Sequence, residues 1–329
     1  MNSTQINSDF ELRFDLMRRL LVANWLRPES ALGYAHLLCG VSRLLGRDWT
    51  QPSLEFGCTD GVNTAVLLGA EFDESFDVYE DAQWDRSAHT RSTLKDDYFD
   101  VVRRPDFQVP FRKKPAATIH YGVDWKEAHL SKCKRLGIFQ NLLQIDAARP
   151  TLPLEDQTIE TIWAPGLYWM DHLEQVLSEL FRVLAPTGRL VTIVPDRAQL
   201  DFMLHQHIHT ADASWIRDLD QGRYENTSRQ ARTETEWVEL FQKMGFLVTA
   251  HERSFPDVVF KTYEVGLRPM FPVFMNMYEK LKSLTPEGWL DVKRHWIEAM
   301  EYFLKPLCDT TTMSDRPQCW HVFQLSKEP

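Results

Sequence analysis

The residues best suited to chemistry lie in one short stretch and are Glu55, Gly57, Cys58, Thr59 and Gly61. Glycines let a backbone approach a ligand where any Cβ would collide, and the start of a following helix offers unpaired N–H groups. A dinucleotide site needs three glycines in the pattern G-x-G-x-x-G, and this stretch has two. The carboxylate ahead of the first glycine would repel a pyrophosphate. It would attract a cation, such as a sulfonium that also carries an ammonium group.

The segments on either side of this stretch predict the elements that hold it in place. Residues 53–56 are apolar without helical spacing and predict a buried strand, and the apolar run at 62–68 predicts a helix. Strand, glycine turn and helix form the opening unit of a nucleotide-binding α/β domain.

An acidic residue ends the next predicted strand, which covers residues 118–124 and finishes at Asp124. In nucleotide-binding α/β units, an acid at this position accepts hydrogen bonds from ribose hydroxyls. Such an acid usually lies about 20 residues past the glycine turn. The gap is longer here, and an inserted segment accounts for the excess. Trp125 follows and could stack on a purine or serve packing alone.

Two parts of the chain resemble the class I S-adenosylmethionine-dependent methyltransferases. The segment E-F-G-C-T-D-G resembles their motif I, E/D-x-G-x-x-x-G, and residues 145–191 are similar to the family's run from the third to the fifth strand. The resemblance covers roughly residues 51–68 and 118–195. Glu160 stands where the family often has Asp, and Thr187 replaces the first glycine of a P-G-G turn.

The resemblance implies an α/β fold with a Rossmann-like, seven-stranded methyltransferase sheet flanked by helices. The last strand is then antiparallel and lies between the fifth and the sixth. The expected positions of the third to seventh strands are 141–145, 158–164, 189–194, 246–252 and 319–325.

The expected domain organisation is an N-terminal helical segment, 1–50, followed by a methyltransferase domain, 51–329. The helical segment should contain two helices between residues 9 and 45, because Pro28 interrupts the apolar pattern. Helices ahead of the first strand pack over the sheet edge or cover the ligand pocket.

Two inserts interrupt the domain, at about 71–116 and 253–317. The first is either a solvated excursion with a helix near 93–102 or a lid over the cofactor. The second carries a helical stripe of Trp289, Val292, Trp296, Met300 and Phe303. It could form a core cap, a contact between two copies of the chain in a homodimer, or an apolar wall of a substrate cap.

The resemblance implies S-adenosylmethionine as methyl donor, with S-adenosylhomocysteine as product. The Glu55 carboxylate would then neutralise the methionyl ammonium, and Asp124 would hold the ribose. Asp146 would bind the adenine amino group. The other expected cofactor contacts are Gly57, Cys58, Thr59, Gly61, Trp125, Ala147 and Ala164.

The acceptor side is expected after the fourth strand, where Tyr168, Asp171 and His172 are candidate catalytic residues. Methyl transfer from a sulfonium is an in-line displacement that needs alignment and exclusion of water, with no covalent protein intermediate. A histidine with a pKa of about 6.5 could take a proton from the acceptor, but a histidine at the start of a helix, such as His172, is more often structural. The sequence leaves the methylated atom open.

Composition narrows the functional classes. The chain of 329 residues has a net charge of −10 and 43% hydrophobic residues, so we expect a globular protein and no nucleic-acid partner. Its 5 cysteines show no paired spacing, and the histidines at 205, 207 and 209 fit a solvated polar segment, so no metal is expected. The N-terminus is unlike a signal peptide and no apolar run approaches 18 residues, so we expect a cytoplasmic protein without a membrane span.

Three functions compete. The first is a methyltransferase for an apolar or aromatic small molecule, such as a secondary metabolite. The second is a catalytically inactive methyltransferase-fold protein that serves as a binding partner or scaffold, although the nearly complete set of cofactor residues argues against it. The third is a nicotinamide dehydrogenase, which would need the missing glycine.

Overall fold

The computed structural model describes residues 3–46, 49–82, 100–104, 106–210 and 214–328. Within these residues no helix is long and apolar enough to cross a bilayer.

Seven strands form one sheet in the order β5-β4-β1-β6-β7-β9-β8. β9 runs antiparallel to both β7 and β8, and the other neighbouring pairs are parallel. This order confirms the predicted sheet, with the last strand between the fifth and the sixth. The sheet strands are β1 (Ser53–Phe56), β4 (Ile119–Asp124), β5 (Phe139–Gln144), β6 (Ile159–Ala164), β7 (Leu184–Pro195), β8 (Phe246–Pro256) and β9 (Gln318–Lys327).

Ten α-helices surround the sheet in the described part of the chain. The predicted N-terminal pair is present as α1 and α2, and Pro28 occupies the first turn of α2, where its missing N–H costs nothing. Gly137 ends α4 in the left-handed conformation at φ 66°. The helices are α1 (Ser3–Ala23), α2 (Pro28–Leu45), α3 (Val62–Leu67), α4 (Glu127–Leu136), α5 (Leu173–Val183), α6 (Ser214–Gln230), α7 (Glu234–Lys243), α8 (Asp257–Lys261), α9 (Phe271–Leu281) and α10 (Pro286–Leu304).

The fifth sheet strand begins earlier than predicted. β7 starts at Leu184, which pairs with Ile159, and the next paired residues are Thr161 and Arg189. The intervening Pro-Thr-Gly segment, predicted as a turn, is therefore an irregularity within a longer strand. β6 has fewer residues between the same two pairings, so the extra residues of β7 must bulge out.

Alternating residues of the central strands bury both faces of the sheet. Val191 and Val322 belong to the core beneath α1 and α2, whereas Leu190 and Phe323 belong to the core on the face of α5 and α7. Helices on both faces are the arrangement expected for a mainly parallel sheet. The two cores fix the positions of the strand ends that carry the site.

The first insert contains a small antiparallel sheet of β2 (Glu71–Phe72) and β3 (Phe111–Lys113). It is attached to α4 by a buried ion pair between Asp81 and Arg135, and the N–H of Val109 donates to the Arg135 carbonyl over 3.3 Å. Most of the helix predicted near 93–102 lies outside the described residues.

The second insert packs against the N-terminal helices. Trp296 Nε1 donates to the carbonyl of Trp25 over 2.6 Å, and the most buried residues of α10 are Lys293, Ile297 and Leu304. Within the predicted stripe, Trp296 makes this contact, whereas Val292 and Phe303 are exposed. Residues of α10 are buried where the helix meets the loop after α1. This face does not coincide with the most apolar stripe. Several large apolar side chains of α9 and α10 are exposed, and the homodimer stays a prediction.

Candidate active site

The glycine turn after β1 is held against the neighbouring strand. The N–H groups of Gly57 and Cys58 both donate to the Val123 carbonyl, over 2.8 and 3.0 Å. Gly57 and Gly61 have φ values of 79° and 76°, which glycine adopts at no steric cost. A Cβ on Gly61 would also lie 2.8 Å from Leu136 Cδ1, so the second glycine lets the turn pack on α4.

Thr59 adopts a glycine-like conformation between these two glycines. Its φ is 51°, which is unusual for any side chain and more so for a β-branched one. The side chain is exposed, while the N–H donates to Asp124 Oδ2 over 2.9 Å. The turn therefore stores backbone strain at the point where its amide meets the acid at the end of β4.

Asp124 is buried, with 3% of its surface exposed, and accepts several hydrogen bonds. Oδ2 accepts from Thr59, and Oδ1 accepts from the N–H of Lys126 over 2.9 Å and lies 3.2 Å from His129 Nδ1. Lys126 Nζ reaches Asp100 Oδ2 of the first insert over 2.7 Å. The acid predicted to hold a ribose thus already organises the turn, the start of α4 and the first insert.

Glu55 is a buried carboxylate without a cationic partner among the described residues. Thr64 Oγ1 donates to Oε1 over 2.7 Å, and Oε2 has no hydrogen-bond partner in the described part of the chain. Burial raises the pKa of Glu55 well above its usual value, and the negative charges of Asp60 and Asp124 raise it further. A bound cation would relieve this cost.

Cys58 lies beneath the turn and faces α4. Its Sγ lies 3.6 Å from Cys133 Sγ, and both thiols are buried. Burial raises the pKa of each thiol, so both stay protonated and pack as small apolar groups.

The remaining predicted cofactor residues follow neighbouring strands. Trp125 is half-buried after β4, with Lys126 Nζ 5.1 Å from its ring centroid, and Asp146 and Ala147 are exposed after β5. Ala164 ends β6, and its carbonyl accepts from Thr192 Oγ1 over 2.7 Å. Because β5, β4, β1 and β6 are adjacent and parallel, these residues share one edge of the sheet with the glycine turn.

A cavity opens beside the end of β6, and we call it the aromatic cavity. It contains about 460 Å³ of space, part of it open to solvent. The segment that carries the lining residues Tyr168 and Trp169 starts beside the glycine turn, because the Cα of Gly166, just past β6, would lie 3.8 Å from a Cβ on Gly57. Its lining residues are Gly33, Tyr34, Leu37, Tyr168, Trp169, Arg223, Thr227, Phe255, Phe260, Tyr263 and Trp320.

Two phenols in the cavity, those of Tyr34 and Tyr168, stay neutral. Burial raises the pKa of Tyr34 to about 12, and burial also raises the pKa of Tyr168. The Tyr168 ring packs edge-on against Trp320 at 4.8 Å and lies 5.0 Å from the Trp169 ring. These side chains supply a flat apolar surface rather than a base.

The charge of Arg223 is balanced within the cavity wall. Its Nη2 lies 3.1 Å from Glu264 Oε2, and its Nη1 donates to the Tyr263 hydroxyl over 3.0 Å. Arg268 pairs with Glu264 and with Asp220, over 2.9 and 2.6 Å. Two guanidinium groups thus meet two buried carboxylates, and this cluster adds no net charge to the cavity.

The structure separates the three predicted catalytic residues. Tyr168 lines the cavity, but Asp171 is exposed and pairs with Arg229 over 3.0 Å. His172 is exposed at the start of α5 and makes no side-chain capping bond. Neither Asp171 nor His172 lines the cavity, and a catalytic role for either stays a prediction.

Sequence reasoning missed most of the cavity wall. Tyr34, Arg223, Tyr263 and Trp320 come from four separate segments, α2, α6, the turn after α8 and β9. A tyrosine within the apolar α2 was a weak signal for a pocket contact. Arg223 gave none, because a single arginine on a polar helix is ordinarily solvated.

Comparison with known proteins adds a family match. Residues 107–192 match the model of a family described as a methyltransferase domain. The match begins ahead of β3 and ends within β7, so it includes Asp124 and Asp146 but not the glycine turn. No curated protein sequence matches the chain.

Three solved structures show the level of structural similarity. A SAM-dependent methyltransferase from Thiobacillus denitrificans, in complex with S-adenosyl-L-homocysteine, is 13% identical with a TM-score of 0.44, covering 88% of this chain and 90% of that one. One from Geobacter sulfurreducens, also with S-adenosyl-L-homocysteine, is 13% identical with a TM-score of 0.40, covering 84% of each chain. Geranyl diphosphate methyltransferase in complex with SAM is 12% identical with a TM-score of 0.42, covering 93% of this chain and 91% of that one.

Two observations agree on a methyltransferase. The sheet has the strand order expected of the class I methyltransferase fold, including the antiparallel last strand between the fifth and the sixth. Within that sheet, the segment 107–192 matches a methyltransferase domain.

Proposed function

We propose that the protein transfers a methyl group from S-adenosylmethionine to an aromatic small molecule bound in the aromatic cavity. The observation that carries this proposal is the position of the cavity. It lies next to the glycine turn, at the end of β6, where this fold brings an acceptor to the cofactor.

The residues around the glycine turn fit the cofactor. Glu55 Oε2 is buried without a partner among the described residues, and Asp60 and Asp124 add negative charge nearby. A ligand with sulfonium and ammonium charges suits this site, whereas a pyrophosphate does not. Asp124 retains lone-pair capacity for a ribose hydroxyl, since a carboxylate offers about four acceptor positions.

The cofactor, when bound, supplies an electrophilic methyl group on a good leaving group. The chain's own contribution is binding, alignment and exclusion of water. Glu55 would hold the positive end, and the turn would support the cofactor with its backbone. Trp169 and Trp320, which line the cavity, would keep water away from the bound acceptor.

The cavity wall supports an aromatic acceptor. Seven of its lining residues are Tyr, Trp or Phe, namely Tyr34, Tyr168, Trp169, Phe255, Phe260, Tyr263 and Trp320. Arg223 Nε is buried and has no hydrogen-bond partner in the described part of the chain. An oxygen substituent on the ring could accept a hydrogen bond from it.

The described lining contains no histidine or carboxylate that could act as a base. We therefore propose that the reacting atom attacks without proton removal by the cavity wall, as a neutral amine does. A hydroxyl that is already ionised at neutral pH would also react.

The test begins with calorimetric titration of the protein with S-adenosylmethionine and S-adenosylhomocysteine, with NADH as control. Binding of both sulfur ligands and not of NADH supports the cofactor assignment. Transfer of a labelled methyl group is then measured over a panel of aromatic amines and phenols. Trp320→Ala should raise KM for the acceptor without changing cofactor affinity, and Phe303→Ala, on an exposed position of α10, is the matched control.

Binding without transfer to any member of the panel would favour the inactive scaffold. Absence of cofactor binding would contradict the proposal. A cytoplasmic location and the absence of a nucleic-acid partner stay predictions.

A further inference from the structure

Four polar side chains form a continuous chain on the sheet face opposite the aromatic cavity. Asp196 Oδ2 lies 2.7 Å from His321 Nε2, and His321 Nδ1 lies 3.0 Å from His251 Nε2. His251 Nδ1 in turn lies 3.4 Å from Glu234 Oε1. Asp196 follows β7, His321 lies in β9, His251 lies in β8, and Glu234 starts α7.

The three contacts need three protons or an equivalent positive charge. Each contact joins two atoms that carry lone pairs, so each needs one N–H between them. Two neutral imidazoles supply two N–H groups. If His321 donates to Asp196 and His251 donates to His321, the remaining nitrogen of His251 presents a lone pair to the Glu234 carboxylate.

Arg253 Nε donates to Glu234 Oε2 over 2.8 Å and leaves Oε1 facing His251. The contact between His251 and Glu234 therefore needs a further proton or a bound cation.

We propose that His251, His321 and Glu234 bind a divalent transition-metal ion of the zinc class. One nitrogen of each histidine and one oxygen of Glu234 lie within 4.8 Å of one another. Tetrahedral zinc with bonds of about 2.0–2.1 Å places two ligating nitrogens about 3.3 Å apart. This is close to the 3.0 Å between His251 Nε2 and His321 Nδ1. In this site the positive charge of the ion takes the place of the third proton, which two neutral imidazoles do not supply.

Asp196 is the orienting residue of this site. A histidine that binds a metal commonly donates its other N–H to a carboxylate, which fixes the ring and its tautomer. His321 is 1% exposed and has this arrangement, with Nε2 toward Asp196 and Nδ1 toward His251. Three protein ligands leave a fourth position for water. The ion would join β8, β9 and the start of α7 into one unit.

Sequence spacing could not reveal this site, and no metal was expected from it. The residues lie at positions 196, 234, 251 and 321, so only the antiparallel pairing of β8 and β9 brings the two histidines together. The i, i+4 pair considered at positions 205 and 209 includes a side chain outside the described residues.

The test is titration of the metal-stripped full-length protein with Zn²⁺, followed by calorimetry and by the midpoint of thermal unfolding. Co²⁺ is the second probe, because tetrahedral nitrogen and oxygen ligation gives intense visible absorption. We expect one saturable site per chain, a raised unfolding midpoint and tetrahedral Co²⁺ bands. Absence of saturable binding to the wild-type protein overturns the proposal.

Variants then locate the ion. His251→Gln should abolish binding, Glu234→Gln should weaken it at least 10-fold, and Asp196→Asn should weaken it about 10- to 100-fold. Glu239→Gln, an exposed change on the same helix α7, and His295→Gln, an exposed change on α10, are the matched controls. Because His251 and Glu234 are only partly buried, these variants should fold without metal. Wild-type affinity in His251→Gln overturns the assignment.

Discussion

The Thr59 amide donates a hydrogen bond to Asp124 Oδ2 over 2.9 Å, across 65 positions of sequence. This bond joins the glycine turn after β1 to the end of β4. Together with the bonds that Gly57 and Cys58 donate to the Val123 carbonyl, this charge-assisted contact fixes the two parts of the proposed cofactor site, which the first insert separates in sequence, relative to each other.

Asp124→Ala should weaken both the fold and cofactor binding. The N–H groups of Thr59 and Lys126 lose their acceptor, and each orphaned donor costs roughly 1–3 kcal/mol of the free energy of unfolding. Asp124→Asn keeps one acceptor oxygen, for only one of the two N–H groups, and should recover part of the stability. Its affinity for S-adenosylmethionine should still fall at least 10-fold, because hydrogen bonds to a charged group are worth about 1.5–3 kcal/mol. Urea unfolding and calorimetry measure the two effects, and normal cofactor binding by the alanine variant would contradict the ribose assignment.

Glu55→Gln should stabilise the ligand-free protein at neutral pH and weaken cofactor binding. Burial raises the folded-state pKa of Glu55, so the folded state holds a proton that the unfolded state releases above about pH 4.5. Wild-type stability should therefore fall as pH rises from that value toward the folded pKa, and the glutamine variant should lack this part of the decline. Urea unfolding between pH 5 and 8 measures it. If the glutamine variant binds S-adenosylmethionine as tightly as wild type, the assignment of Glu55 to the cofactor site is wrong.

Thr59→Gly should stabilise the fold. Thr59 has a φ of 51°, and a side chain in this region costs roughly 1–2 kcal/mol. Glycine itself lowers the free energy of unfolding by about 0.5–1 kcal/mol, because it gives the unfolded chain more conformational freedom. We therefore expect a net increase in the free energy of unfolding of about 0.5–1 kcal/mol. Thr235→Gly, at a position inside α7, is the control and should destabilise by a similar amount. If both changes destabilise equally, the turn carries no strain at Thr59.

Lys293→Met should change how stability depends on pH. Lys293 is fully buried and donates to the carbonyls of Glu74 and Phe76, and burial lowers its pKa to about 8. Between about pH 8 and 10.5 the unfolded chain holds the proton more strongly than the folded one, so this residue makes stability rise with pH. The methionine variant should lack that rise. The difference between the two stability curves over this window isolates Lys293 from other groups, and parallel curves would contradict the lowered pKa.

Tyr168→Phe and His172→Gln should each change kcat by less than about 3-fold. Burial raises the pKa of Tyr168, so its phenol is not a base at neutral pH, and His172 lies on the surface away from the cavity lining. Steady-state kinetics with the best acceptor of the aromatic panel measure this. A loss of kcat beyond 100-fold in His172→Gln, with a pH profile that loses one limb, would restore the catalytic role predicted from sequence.

The sequence determined the order of elements and most of the proposed cofactor site. Apolar segments, glycines and Pro28 placed the strands and helices to within a few residues, because these signals are local to the backbone. Asp124 ends a strand, Asp146 follows one and Glu55 lies one residue before the end of another, so all three could be proposed from sequence, because parallel strands bring such residues to one edge. The family resemblance supplied the order of the strands within the sheet.

Only the tertiary structure decided which residues form the aromatic cavity. The aromatic cavity combines residues such as Tyr34, Arg223 and Trp320 from segments far apart in sequence, and no periodicity relates them. The chain of Asp196, His321, His251 and Glu234 likewise depends on the register between two antiparallel strands. Contacts of this kind are set by packing between elements, and a pattern along one element carries no record of them.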